Sequence, residues 1–314
     1  MTTDSPWTGA RAVAERGEPL LERTWPVWID GEILALERAA LPLGSAGVLH
    51  GRAVFTTIPV LAGLPLFTAQ HVARLVRDGA ALGIPLAVGA LRAAIAALLP
   101  HLSGAASAVR VHLGAGEAGG APHLALIPRR AAAGLGAGQG GETVLAVHGE
   151  SFGGSLARHK LAQRVGRNLA LQAAAAAGAD EVLLADSAGA VLGCAAACVV
   201  MRAGGRVFAP GPRAGGLPGV ARAVLAHRCG APDGPHTGAW LDQPVPAAIW
   251  ARAEEIVLVG SVRGVRAARA VLGRSTPLAG AAGPLAALLA RAWEDALREE
   301  SVAAREEWGT SPGR

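Results

Sequence analysis

The chain has 314 residues, of which 51% are hydrophobic and 17% charged, with a formal net charge of +5. That balance describes a globular protein long enough for two domains and excludes a disordered or fibrous chain. The positive charge is spread along the whole length, with no dense basic run interleaved with aromatics. Nucleic acid is therefore not an expected partner, and small anionic molecules fit better.

Residues 1–24 read as a polar leader. Its Asp4, Glu15, Glu18 and Glu22 and its lack of an apolar core are unlike a signal peptide. The segment Val27–Ile33 reads as a hairpin turning at Asp30-Gly31. A second strand pair is expected at Val54–Val60 and Leu64–Phe67. Helices follow at His71–Leu82, stopped by Gly83, and at Leu91–Leu99, then strands at Ala108–Leu113 and His123–Ile127. The uncharged stretch Ala131–Gly141 is the best linker candidate. After it come strand Thr143–Val147, helix Leu161–Ala177, strand Glu181–Leu184, a turn at Asp186–Gly189, and strands Val191–Met201 and Arg206–Ala209. Helix Gly219–His227, strand Ile256–Val259 and helix Leu285–Glu307 complete the chain. Strands and helices mix without steady alternation, so the expected fold class is α+β. The expected division is a leader at 1–24, a small α/β domain at 25–130, a linker at 131–141, a large domain at 142–290, and a C-terminal helix and tail at 291–314.

Every apolar stretch is broken by Gly, Arg or Pro well short of the ~20 residues a membrane span needs, so a soluble, cytoplasmic protein is expected. Cys194, Cys198 and Cys229 are too few for a disulfide framework. Cys194 and Cys198 read as four apart on one face of a strand. A metal site would need further ligands, which are not evident, so buried thiols are expected and no metal.

Lys160 is the only lysine; the other 28 of the 29 Lys+Arg positions are arginine. An amine can be deprotonated by burial and attack a carbonyl, whereas a guanidinium stays protonated. Schiff-base chemistry with an aldehyde cofactor is the foremost reason to retain one lysine.

The ordered pieces Gly51-x-x-Val54-Phe55, His71-x-x-Arg74-Leu75, Leu82-Gly83-Ile84-Pro85, Lys160, Gly178-Ala179-Asp180-Glu181, Gly189-x-Val191, Leu217-Pro218-Gly219-Val220-x-Arg222 and Gly260-Ser261 together resemble the class IV aminotransferases, the fold-type IV pyridoxal-phosphate enzymes. The resemblance runs from about Trp28 to Arg266. Phe55-Thr56-Thr57, Leu156–Lys160 and Cys194-Ala195-Ala196 are similar in texture to the aminodeoxychorismate lyase branch. It implies a smaller N-terminal domain, a larger C-terminal pseudo-barrel domain, and a homodimer.

The resemblance also implies roles. Lys160 would carry the pyridoxal phosphate and move protons at the substrate α-carbon, with Thr57 beside the reacting carbon. Arg74, the backbone N–H groups of Val220 and Ala221 at a helix start, and Ser261 would hold the phosphate. Arg110 and Arg158, beside His112 and His159, are either a replacement pocket for substrate carboxylates or exposed strand and loop residues. Favoured is an elimination from a small carboxylate-bearing amino acid.

Departures from the family pattern bear on this. Gly193 and Cys198 stand where the family has a glutamate at the pyridine nitrogen and an asparagine. Ser45-Ala46 replaces an aspartate, Ala115 an arginine, and Ala221 a hydroxyl residue. Without the glutamate a bound ring nitrogen would be unprotonated or water-bonded and transamination slow. A cofactor-independent enzyme on this scaffold, or a non-catalytic homologue, therefore stays open.

Overall fold

The structure, a computed structural model, describes residues 25–102, 108–130, 142–149, 154–230 and 240–309. The leader and linker read from the sequence lie outside the described residues. The chain forms two domains, each built on one sheet.

In the first, β1 (Val27–Ile29) and β2 (Glu32–Leu34) form the expected hairpin. Its turn residues Asp30 and Gly31 both have positive φ, 48° and 108°, which an Asp-Gly pair tolerates. A short α1 (Ala46–Leu49) leads into β3 (Ala53–Leu61) and β4 (Leu64–Pro65), followed by α2 (Thr68–Ala81), α3 (Val88–Leu98), β5 (Ala108–Gly114) and β6 (His123–Arg129). The sheet is antiparallel, in the order β2-β1-β6-β5-β3-β4. α2 and α3 bury Leu75, Leu91, Ile95 and Leu98 with the sheet residues Trp28, Ile58 and Leu126. This burial is the main force holding the layer together.

The second domain runs through β7 (Thr143–His148), α4 (Val165–Ala176), β8 (Glu181–Ala185), β9 (Val191–Cys194), β10 (Cys198–Ala203) and β11 (Arg206–Phe208). It continues with α5 (Val220–Cys229), α6 (Ala247–Trp250), β12 (Glu255–Gly260), β13 (Gly264–Val271) and the long α7 (Pro284–Trp308). Its sheet order is β11-β10-β12-β13-β7-β8-β9, with β13–β7 and β7–β8 parallel and the other pairs antiparallel. One face packs on α5 and α7 through Leu225, Val257, Leu289 and Trp293. The mixture is α+β, as expected.

Several contacts join the domains among the described residues, from β3 and α2 to the Lys160 segment and from α7 back to the first domain. The Lys160 segment pairs with β3: Phe55 N–H donates to the Lys160 carbonyl at 2.9 Å, and Ala162 N–H to the Ala53 carbonyl at 2.8 Å. From the second domain α7 reaches back, where Glu300 accepts the N–H of Phe67 at 2.7 Å and Trp293 stacks on the Phe67 ring at 5.1 Å.

Two expectations are corrected, and one strand was not foreseen. The strand read over Val191–Met201 is two strands, because the chain bends at Ala195–Ala197, closed by Cys194 N–H to the Ala197 carbonyl at 3.2 Å. Three consecutive alanines bring no β-branched packing to hold an extended run straight. Cys194 and Cys198 therefore do not share a strand face. The helix read from Leu161 begins at Val165, because Leu161 is bridged to Val54. Tertiary pairing overrides local helix preference there. Finally, β13 was not expected: Arg263, Arg266 and Arg269 recur every third residue and mask the period of two.

Candidate active site

Lys160 stands in a cavity of about 200 Å³ between the two sheets. A second cavity of about 240 Å³ shares Lys160, Arg164, Arg167 and Leu217 with the first, so the lysine lies where the two adjoin. Asp78, on α2, fixes its backbone: the carboxylate accepts the Lys160 N–H at 3.0 Å and lies 3.0 Å from His159 Nδ1. The Nζ end lies over the Phe55 ring, 4.8 Å from its centroid. Burial, then the nearby Arg74, Arg164 and Arg167, hold the Lys160 amine well below its ordinary pKa. A neutral amine is the nucleophilic form.

Six of the sequence-predicted site residues line this cavity together: Lys160, Thr57, Arg74, Val220, Ala221 and Ser261. Arg74 comes from α2, one turn before Asp78, and is 7% exposed. Its Nη2 donates to Thr56 Oγ1 at 2.6 Å, and Thr56 Oγ1 lies 2.7 Å from His71 Nδ1. Arg74 Nε is buried without a hydrogen-bond partner among the described residues. Burial lowers Arg74 only to about 10, so it stays cationic at neutral pH. Val220 and Ala221 open α5 after the Gly219 cap, and their N–H groups have no intrahelical acceptor. A cationic side chain and the positive end of a helix dipole thus face one cavity. Ser261 lies in the turn between β12 and β13.

The two other residues are placed elsewhere. Arg110 sits opposite Thr57 on β5, its guanidinium 3.9 Å from the centre of the Phe55 ring, which itself lines the cavity. Arg158 is exposed at the end of the turn Ser155–Arg158 and does not line the cavity.

Beyond Arg74, sequence reasoning gave no site role to the other arginines that line it, among them Arg129, Arg130, Arg164, Arg167, Arg263 and Arg266. Arg164 and Arg167 follow Lys160 by four and seven residues, but the helix starts only at Val165, so helical spacing from Lys160 gave no signal for them. They donate to the carbonyls of Ala195 and Cys194 at 3.0 and 3.1 Å and so brace the bend between β9 and β10. Not one Asp or Glu lines the cavity among the described residues. Cys194 and Cys198 are buried, and burial pushes both thiols up, so they are neutral. The described residues contain no cluster suited to a metal ion.

Residues 53–271 match the family described as amino-transferase class IV. The chain belongs to that family. Among solved structures it is similar to a branched-chain aminotransferase from the archaeon Thermoproteus uzoniensis with norvaline. Identity is 18%, coverage 90% of this chain and 97% of that one, and the TM-score 0.76. A pyridoxal-phosphate-bound hypothetical aminotransferase from Mycobacterium tuberculosis is 21% identical, covering 87% and 99% at a TM-score of 0.73. The 4-amino-4-deoxychorismate lyase of Pseudomonas aeruginosa is 24% identical, covering 90% and 100% at 0.68. At these identities the likeness establishes the fold and not the reaction. No curated protein matches the sequence.

The residues present fit the class IV cofactor at two of its three contact regions. Lys160 and the Arg74–α5 cradle suit an aldehyde and a phosphate. At the third, Gly193 brings no side chain: a Cβ built there would have nothing within 4 Å.

Proposed function

We propose that this protein is a pyridoxal-phosphate-dependent enzyme acting on a small amino acid that carries further carboxylates. The favoured reaction is removal of the α-proton followed by elimination, as in aminodeoxychorismate-type lyases. The observation that carries the reading is the pairing of a lone, neutral-leaning Lys160 amine with an acid-free, arginine-lined cavity. Bound pyridoxal phosphate supplies an aldehyde that captures amines and a conjugated ring that spreads the electron pair left at the α-carbon.

The chain's own groups do the rest. Arg74 and the N–H groups of Val220 and Ala221 bind the phosphate, and Ser261 adds a hydroxyl. Lys160 takes and returns the α-proton, which needs its amine uncharged. Thr57, on β3, borders the reacting carbon. Arg164 and Arg263 give substrate carboxylates a favourable field, and Arg110 supports that wall through Phe55. The exposed Leu156, Val165 and Leu169 around the Lys160 segment suit a homodimer contact beside the cavity. A domain boundary along the sequence at 131–141 and a cytoplasmic location complete the reading. Among the described residues no helix is long and apolar enough to cross a membrane.

The test is an absorbance spectrum of the protein loaded with pyridoxal phosphate. A visible band that borohydride abolishes, with the reduced cofactor mapped to Lys160, is expected. Loading with no band, or a band retained in Lys160→Ala, would overturn the reading.

A further inference from the structure

The wall beside Gly193 carries hydrogen-bond donors, Arg167 and Arg266. Gly193 leaves the space beyond its backbone open. Next to it, Arg167 Nη1 donates to the Cys194 carbonyl at 3.1 Å, which pins the guanidinium against the β9 backbone. Arg266 comes from β13. Its Nη2 is buried and has no hydrogen-bond partner among the described residues. Both arginines line the cavity, and both lie within Coulombic reach of Glu181 and Cys194. The Cys194 thiol is neutral. Glu181 is wholly buried, accepts the Val182 N–H on Oε1 at 3.0 Å, leaves Oε2 without a hydrogen-bond partner among the described residues, and does not line the cavity. Arg167 and Arg266, with Arg164 and Arg263 beside them, outnumber the two carboxylates in reach, Glu181 and Asp180, neither of which lines the cavity, and leave this wall positive.

In pyridoxal phosphate the aldehyde and phosphate arms sit on adjacent ring carbons, and the ring nitrogen lies para to the aldehyde-bearing carbon. With Lys160 taking the aldehyde and the Arg74–α5 cradle taking the phosphate, the family resemblance puts the nitrogen's partner at Gly193, and Arg167 and Arg266 are cavity-lining donors within Coulombic reach of the adjoining Cys194. We propose that Arg167 and Arg266 form a donor subsite that holds the ring nitrogen of the cofactor as an unprotonated hydrogen-bond acceptor. The proposal rests on the pyridoxal-phosphate reading above and deepens it. A guanidinium has donors only and stays protonated, so it cannot accept from a pyridinium. Such a site narrows the chemistry: a neutral ring is a weaker electron sink, so it suits a reaction in which the leaving group departs as the α-proton is removed.

Two readouts test this on the loaded protein without an activity assay. The first is the ¹⁵N resonance of ring-labelled pyridoxal phosphate. The second is a binding titration of N-methylpyridoxal phosphate, whose ring carries a fixed positive charge. Expected are a resonance in the neutral-pyridine range at neutral pH and binding of the methylated analogue about a hundredfold or more weaker than that of the parent, since juxtaposed like charges are strongly penalised. In Arg266→Met, and in Arg167→Gln should the first variant fold poorly, the resonance should move toward the pyridinium value and the discrimination should shrink at least tenfold. A visible band with a pyridinium resonance in the wild type, or equal binding of the two compounds, overturns the proposal alone. Absence of any visible band overturns the cofactor reading and this proposal with it.

Discussion

Asp78 accepts the backbone N–H of Lys160 at 3.0 Å across 82 residues of sequence. The same carboxylate takes Arg77 and lies 3.0 Å from His159 Nδ1, although it is only 1% exposed. Arg74 lies four residues earlier on the same helix, so α2 positions both the guanidinium facing the cavity and the segment that presents the lysine. Asp78 is a positioning residue for the site.

Removing that carboxylate tests the arrangement. Asp78→Ala leaves a buried N–H unanswered, an effect of about 1–3 kcal/mol. Chemical denaturation should show that loss, and cofactor titration should show weaker loading, with the reduced cofactor still mapping to Lys160. Asp78→Asn, which keeps an acceptor oxygen, should recover part of both. If Asp78→Ala retains wild-type stability and loading, the anchor has no such role.

Lys160 itself should be indispensable to turnover and dispensable to folding. Lys160→Ala is expected to unfold at or above the wild-type midpoint, because a group that burial holds neutral is removed from the interior. It should be catalytically dead. Lys160→Arg should be dead as well, since the guanidinium does not form the imine. Turnover by either variant at the wild-type rate rules out the assignment.

Acid should weaken the fold through His112. Burial, then Arg110, lowers its pKa from 6.5 to about 4. A depressed folded-state value means the unfolded chain binds more protons between those limits. The stability contribution is therefore complete above pH 6.5 and is lost as the pH falls through about 4, on the order of 3 kcal/mol at most. His71, held low mainly by burial, adds a slope of the same sign. Urea midpoints measured from pH 7 to pH 4 should fall, and His112→Gln should flatten that fall without removing it. An unchanged slope in the variant refutes the assignment to His112.

These elements also show what the sequence makes legible. The first hairpin was readable because Asp-Gly dictates its turn, and α2 because its apolar positions recur at helical spacing. Lys160, Arg74 and Ser261 were readable because composition and motif order single them out. Arg167 and Arg266 were not. Their place at the cavity depends on the bend at Ala195–Ala197 and on β13 crossing beside β12, and both are long-range outcomes that local periodicity does not encode. Arg158, four apart from Ala162 on a segment read as leading into a helix, turns outward because Leu161 and Ala162 pair with β3 instead.

Ordinary transamination should be negligible in the wild type. With donors rather than a carboxylate beside Gly193, ring basicity falls, and each pK unit lost is ~1.4 kcal/mol of stabilisation withdrawn from the carbanionic state. Several units slow its formation by orders of magnitude. Gly193→Glu supplies the carboxylate, and the open space admits it. The backbone there, at φ +157°, is one that side chains rarely adopt, so a stability loss of about 1–3 kcal/mol is expected. The new carboxylate would first meet Arg167 and Arg266. Transaminase activity with alanine should accordingly rise little in Gly193→Glu and clearly more in Gly193→Glu combined with Arg266→Met. The assay follows pyruvate released from alanine with 2-oxoglutarate as acceptor. A wild-type rate near the ~10 per second typical of enzymes would show that Gly193 and its arginines do not limit the chemistry.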